Sequence, residues 1–243
     1  MPRRPASAES AAESETGSGT EARPVRLPFT DRAEAGRVLA GRLVPLGLDD
    51  PVVLALPRGG VPVGYEVARR LDAPLDVLVT RKIGYPPQPE LGVGAVAEGG
   101  GPVFDAGLLR RLGLGEDDLA GTLAAERAEL DRRVRAYRGD RPLPGLAGRP
   151  VIVVDDGLAT GGTARAALRA VRAGGPARLV LAVPVGAAGT VRDMEAEADT
   201  VVVLAAPSDF QAVGQWFVDF RQLTDADVVA ALDRAAEQRG TAP

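Results

Sequence analysis

Two adjacent carboxylates, Asp155 and Asp156, follow a run of apolar residues in the segment VIVVDDGLATGGTARAAL, residues 151–168. Small residues and hydroxyls come next: Gly157, Ala159, Thr160, Gly161, Gly162 and Thr163. A helical pattern then begins. The free N–H groups and the dipole of a helix N-terminus favour a phosphate, and glycine lets the backbone approach it. No lysine follows these glycines, so the loop is not of the Walker A type. Two carboxylates would repel a phosphate that touched them, but they suit hydroxyls of the same ligand, whose protons they accept. A ribose 5-phosphate has that shape, with a phosphate at one end and a vicinal diol one ring away. The plainer alternative is a strand end followed by an N-capped helix, where Asp and Thr are common.

The composition narrows the chemistry further. The 243 residues include no cysteine and no histidine. That excludes disulfide and thiol chemistry, Ser-His-Asp triads, histidine acid–base catalysis and most zinc sites. A formal charge of −4 argues against non-specific nucleic-acid binding. No apolar run approaches the ~20 residues of a membrane span. Of 29 basic residues, Lys82 is the single lysine, beside Arg81 at the end of LDVLVTRK. A GC-rich genome, which favours Arg codons, explains the imbalance and leaves open whether Lys82 persists by chance or by function.

These residues need elements to position them. Residues 1–25 are rich in Ala, Ser, Glu and Gly and read as a disordered tail. They lack the apolar stretch of a secretory signal, and the protein is expected in the cytoplasm. From Phe29 onward the spacing predicts a helix over TDRAEAGRVLAGRL, a strand in PVVLALPRGG, a helix over VPVGYEVARRL and a second strand, LDVLVTRK. ELGVGAVAEGG reads as a short strand pair broken by glycines. A charged helix over EDDLAGTLAAERAELDRRVRAYRG carries Leu119, Leu123, Leu130, Val134 and Tyr137 along one stripe. Then come the strand 151–154, a helix from Gly162, the strand RLVLAVPV, a helix near 190–198, the strand TVVVLAA and a last helix, 224–238. Continuous apolar strands alternating with helices mean an α/β fold, a parallel sheet covered on both faces. Ligands of such sheets lie at the carboxyl ends of the strands. Three expected strand ends carry unusual residues: Arg58-Gly59-Gly60, Arg81-Lys82 and Asp155-Asp156.

The segment VIVVDDGLATGGT resembles the phosphoribosyl pyrophosphate (PRPP) signature of type I phosphoribosyltransferases, and LPRGG resembles their pyrophosphate loop. LALPRGGVPVG, RKIGYPPQPELGVGAVAEGG and FQAVGQWFVDF are similar to a bacterial branch without a settled acceptor. The resemblance covers about residues 26–232 and implies one transferase domain over 26–243, a Rossmann-like sheet with a small hood. It implies that Asp155 and Asp156 hold the ribose hydroxyls, that Gly157 and Ala159 to Thr163 wrap the 5-phosphate, and that Arg58, Gly59 and Gly60 meet pyrophosphate. A cis peptide precedes the Arg58 position in the family. Arg81 and Lys82 resemble the basic pair that opens the catalytic loop of orotate and adenine enzymes, although GYPPQPE lacks the further basic residues of the orotate loop. Magnesium is implied as cofactor, with Asp155, Asp156 and Asp219 near it through water or ligand oxygens. Phe210, Val213-Gly214 and Asp219-Phe220 keep the order of the acceptor-binding segment of 6-oxopurine enzymes, each gap one residue longer, and the resemblance extends the acceptor hood to Trp216 and Phe217. The same aromatics read equally well as a small subsidiary core. Ala159 replaces the Asp that in those enzymes serves the purine N7, which implies poor use of hypoxanthine, guanine and xanthine.

The expected partners are thus PRPP and a small-molecule acceptor, with neither nucleic acid nor membrane, in a homodimer. The rival is a PRPP-binding regulator on the same fold. Its mark would be a basic nucleic-acid face. The arginines between Arg127 and Arg141 are interleaved with Glu126, Glu129, Asp131 and Asp140, which reads as a salt-bridged, solvated face instead.

Overall fold

The structure, a computed structural model, describes residues 25–240; all but the last residue of the expected tail lies outside the described residues. Five parallel strands form the central sheet. Across the sheet they are β2 (Leu75–Val77), β1 (Val52–Ala55), β6 (Pro150–Val154), β7 (Arg178–Val185) and β8 (Thr200–Ala205). Their apolar runs bury both faces. Val52, Leu54, Val151, Val153, Leu179 and Leu181 pack beneath Leu168 and Val171 of α5 (Gly162–Ala173). The alternate residues Val53, Ile152, Val154 and Val180 pack against α1 (Arg32–Leu43) and α2 (Gly60–Leu71) on the other face. The period of two that separates these sets is that of a pleated strand.

The expected strand LDVLVTRK is two elements. β2 ends at Val77, and a new strand, β3 (Thr80–Tyr85), pairs antiparallel with β4 (Gln88–Ala97). The reason lies in the neighbour. β1 turns away after Ala55, so Leu78, whose N–H still reaches Ala55 O, is the last residue with a partner there. Backbone groups beyond it need another strand. Arg81 and Lys82 therefore lie on a hairpin, four and five residues past Val77, and not at a central strand end.

The glycines of ELGVGAVAEGG do not break it into a pair. Gly92 and Gly94 lie within the single strand β4, Gly99 and Gly100 follow its end, and Gly94 admits the ring of Phe104 from β5 (Val103–Phe104). The hydrophobic spacing announces no helix at α3 (Ala106–Leu112), yet the end signals of one are present: Asp105 accepts from Leu108 N at 2.8 Å, and Gly113 ends the helix in the left-handed conformation.

The remaining elements are α4 (Ala120–Arg138), α6 (Ala188–Met194) and α7 (Asp225–Gln238). Thr224 caps α7 in a reciprocal box with Asp227. α1 and α2 pack closely. A Cβ at Gly36 would lie 2.8 Å from Val63 O, whereas one at Gly41, also on α1, would meet nothing within 4 Å. Gly36→Ala is expected to cost about 1–3 kcal/mol by forcing the helices apart. Gly41→Ala is expected to gain up to about 1 kcal/mol from helix propensity. Denaturant midpoints check both, and equal stability of the two variants would contradict the close crossing.

Candidate functional site

β1 and β6 run in register to their ends, with Ala55 opposite Val154, and Leu56 N donates to Val154 O at 2.8 Å. Two loops therefore leave the sheet side by side, one carrying Arg58-Gly59-Gly60 and the other Asp155-Asp156. The Pro57–Arg58 peptide is cis, as the resemblance implied. A Cβ at Gly59 would collide with the Asp156 carboxylate. One at Gly60 would lie 2.6 Å from Val154 O and 3.2 Å from Asp155 Oδ1. The glycines let the two loops touch.

Asp155 Oδ1 accepts from Asp156 N at 2.9 Å. Burial, and then the charge of Asp156, push the Asp155 carboxyl well above the usual carboxylate range. Burial raises Asp156 too, against the opposing pull of Arg32. Arg32, only 8% exposed, donates from Nε to Asp156 Oδ2 at 2.8 Å and from Nη1 to Arg221 O at 3.1 Å. Its guanidinium carbon sits 3.8 Å from the centroid of the Phe220 ring, a cation–π contact. Sequence reasoning missed Arg32. The available signal was a cation in the first turn of a helix, where the dipole disfavours it.

After the acids, β7 and α6 pin the loop. Leu158 N donates to Val185 O at 2.9 Å, Ala187 N to Leu158 O at 2.9 Å, and Thr190 Oγ1 to Ala159 O at 2.7 Å. Gly161, at φ 75°, makes the left-handed turn into α5, and no side chain caps that helix. Its first-turn N–H groups are left without intrahelical partners, facing the exposed Ala159-Thr160 segment.

Arg81 and Lys82 project to opposite faces of β3. Arg81 pairs with Glu126 of α4 at 2.7 Å. Lys82 shares its face with Ala95, its cross-strand partner, and Ala95 packs with Ala97 against Ala166 of α5. The exposed ammonium donates to Glu90 O at 2.9 Å. The pair thus divides between the α4 side and the α5 side of the hairpin.

The aromatic segment forms a cluster around Phe29 and Phe217. Phe217 packs on Phe29 and Phe220, with ring centroids 5.7 and 5.2 Å apart. Phe210 and Trp216 make a second, stacked pair at 6.4 Å, only partly buried, and the indole N–H has no hydrogen-bond partner. Val213 covers Gly157. Asp219 lines a cleft of about 210 Å³ with Asp31, Arg32, Pro62 and Arg221. Among the described residues, no three acidic side chains converge to hold a metal ion. Asp219 accepts from Arg221 N at 3.1 Å, within its own loop.

The two acids differ in their partners, so their amides should differ in stability. Asp155→Asn removes a buried carboxylate that bonds no cation directly, Arg32 acting on it only across space, keeps the acceptor for Asp156 N, and is expected to leave stability unchanged or raised. Asp156→Asn removes the charge opposite Arg32 and is expected to cost about 1.5–3 kcal/mol. Equilibrium unfolding of both variants checks the order; the reverse order would contradict the assignment of Arg32 to Asp156.

The family model for the phosphoribosyl transferase domain matches residues 33–220. Two curated relatives, from Mycobacterium tuberculosis strains CDC 1551 and H37Rv, are each 50% identical over 210 residues, 85% of this chain. Their names are "Putative phosphoribosyl transferase MT0597" and "Putative phosphoribosyl transferase Rv0571c". The match takes in 47% of each, so the chain spans about half the length of the curated relatives it matches. The crystal structure of TT1426 from Thermus thermophilus is 48% identical, with a TM-score of 0.72 over 84% of this chain and 97% of that one. With the family model spanning the strands, the acids and the glycine turn alike, the chain belongs to the phosphoribosyl transferase domain family.

Proposed function

We propose that the protein is a magnesium-dependent phosphoribosyltransferase, in which a nitrogen nucleophile, a nucleobase or related compound, displaces pyrophosphate from the anomeric carbon of PRPP. The observation that carries this reading is a carboxylate pair in contact with a two-glycine turn, on the loop that leads into an uncapped helix N-terminus. Asp155 and Asp156 accept the ribose hydroxyls. Gly157 and the stretch from Ala159 to Thr163 hold the 5-phosphate against the start of α5. Arg58, Gly59 and Gly60 meet the pyrophosphate. Phe210, Val213 and Trp216 border the acceptor, and Asp219 bounds the neighbouring cleft.

Asp155 and Asp156 offer hard carboxylate oxygens, one already taken by Arg32, and among the described residues no third acid stands with them. That donor set fits magnesium that keeps its waters and ligand oxygens, and not a cage built by the protein. When bound, the ion would neutralise charge on the pyrophosphate oxygens. The chain's own work is positioning and charge stabilisation around an oxocarbenium-like transition state, which needs no histidine. Lys82, on the hairpin face turned to α5 and exposed, supplies a compact cation for the departing pyrophosphate.

Two outcomes are expected. Mg-PRPP at ~100 times its dissociation constant should stabilise the fold by about 2.7 kcal/mol. Calorimetry and thermal unfolding read this, and neither heat nor shift at millimolar ligand would exclude PRPP as the ligand. Lys82→Ala should lower single-turnover cleavage about 10²–10³-fold while Mg-PRPP affinity falls less, as for a donor that acts on the transition state. Lys82→Arg should also be impaired, since a planar fork does not replace a point ammonium. A fully active Arg variant would remove Lys82 from the mechanism. Binding without any release of pyrophosphate, across a panel of bases, amines and water, would favour a PRPP-binding regulator.

A further inference from the structure

Arg58 carries more than a backbone. Its guanidinium reaches across to the C-terminal helix, with Nη1 3.6 Å from Asp225 Oδ1. The same oxygen accepts from the Tyr137 hydroxyl of α4 at 2.6 Å, and Oδ2 lies 3.7 Å from Arg132 Nη2. Asp225 is the first residue of α7 but does no capping; Thr224 and Asp227 share that task. Its carboxylate is free to serve the loop instead. Tyr137 is buried, in one apolar cluster with Val61, Val228 and Leu232. Burial, and then the bond to Asp225, push its hydroxyl up to about 12, so it remains a donor at any ordinary pH. The carboxylate is therefore fixed from behind by a rigid donor, while its partner on the glycine turn sits on a side chain 31% exposed. A fixed anion beside a long, half-exposed cation is an arrangement that a stronger anion can take over.

We propose that Asp225, held by Tyr137, is the resting counter-ion of Arg58: it keeps the guanidinium beside the pyrophosphate loop in the free protein and gives it up to the pyrophosphate end of the ligand. Asp225 is then a positioning residue that tunes affinity, and Arg58 binds through its side chain as well as its backbone. This rests on the assignment of the loop to pyrophosphate. Its consequence is counterintuitive. Removing a polar residue next to the site should tighten binding, because an ion pair no longer has to be broken.

The test is calorimetric titration of the full chain with Mg-PRPP and, separately, with magnesium pyrophosphate. Asp225→Asn should bind both about two- to fivefold more tightly, the worth of a half-exposed ion pair. Should that variant not fold, Asp225→Ser removes the same charge. Loss of simple repulsion between Asp225 and a polyanion would give the same sign, so the decisive comparison is in the Arg58→Ala background. There the effect of Asp225→Asn should vanish. Tightening that persists without the guanidinium, or affinity that is unchanged or weaker in the single variant, overturns the proposal while leaving the PRPP site intact. A wild-type protein that binds neither ligand overturns both together, and that outcome is distinct from the others.

Discussion

Two negative charges at the end of one buried strand set the terms for everything near them. A carboxylate moved into a protein interior loses hydration worth several kcal/mol, and adjacent carboxylates raise each other's cost. The fold meets that cost in unequal parts. Asp156 is paired with a buried arginine and Asp155 with a backbone N–H, and the glycine turn of the neighbouring loop is pressed against both. The parallel register of β1 and β6 makes this possible, since it brings both loops to the same edge at the same height. A slip of one residue would turn the acids to the other face of the sheet and separate them from the glycines.

The charges around that edge follow one rule. Arg32 is held against Asp156, Arg58 against Asp225 and Arg81 against Glu126, and each pair joins two elements distant in sequence. α1, α4 and α7 thus contribute polar groups to segments that they do not adjoin in the chain. For a protein without histidine this matters chemically. Charge stabilisation requires cations to be present before the ligand arrives, yet unpaired cations in half-buried places are costly. A carboxylate partner that yields to the ligand, the part proposed for Asp225, reconciles the two needs. They also make the site sensitive to changes in helices that never touch a ligand.

Much of this was legible in the sequence. Apolar runs without alternation announced the parallel sheet, and VIVVDDGLATGGT carried the acids, the turn and the start of α5 in their observed places. The cis peptide before Arg58 came from the resemblance and appears in the structure. What was not legible depended on partners. LDVLVTRK carries no mark at Val79; it divides because β1 has turned away, a fact about another strand. Arg32 and Asp225 look like ordinary surface charges in a chain with 28 arginines, and only tertiary packing selects them. Arg81 and Lys82 looked like a pair because they are adjacent, but adjacency on a strand sends side chains to opposite faces.

The aromatic segment shows how two competing readings divide one stretch of chain. Phe29, Phe217 and Phe220 form a packed core, and Phe220 also carries the guanidinium that steadies Asp156. Phe210 and Trp216 stack on each other at the margin of that core, partly buried, with a buried indole N–H that finds no partner. A buried donor left unpaired costs about 1–3 kcal/mol. The inner ring set then fixes the loop relative to the acids, and in the proposed reading the outer pair borders the acceptor. Phe220 against Arg32 and Val213 against Gly157 both tie the aromatic segment to the loop of the acids, so the acceptor end and the ribose end of the proposed site are mechanically joined.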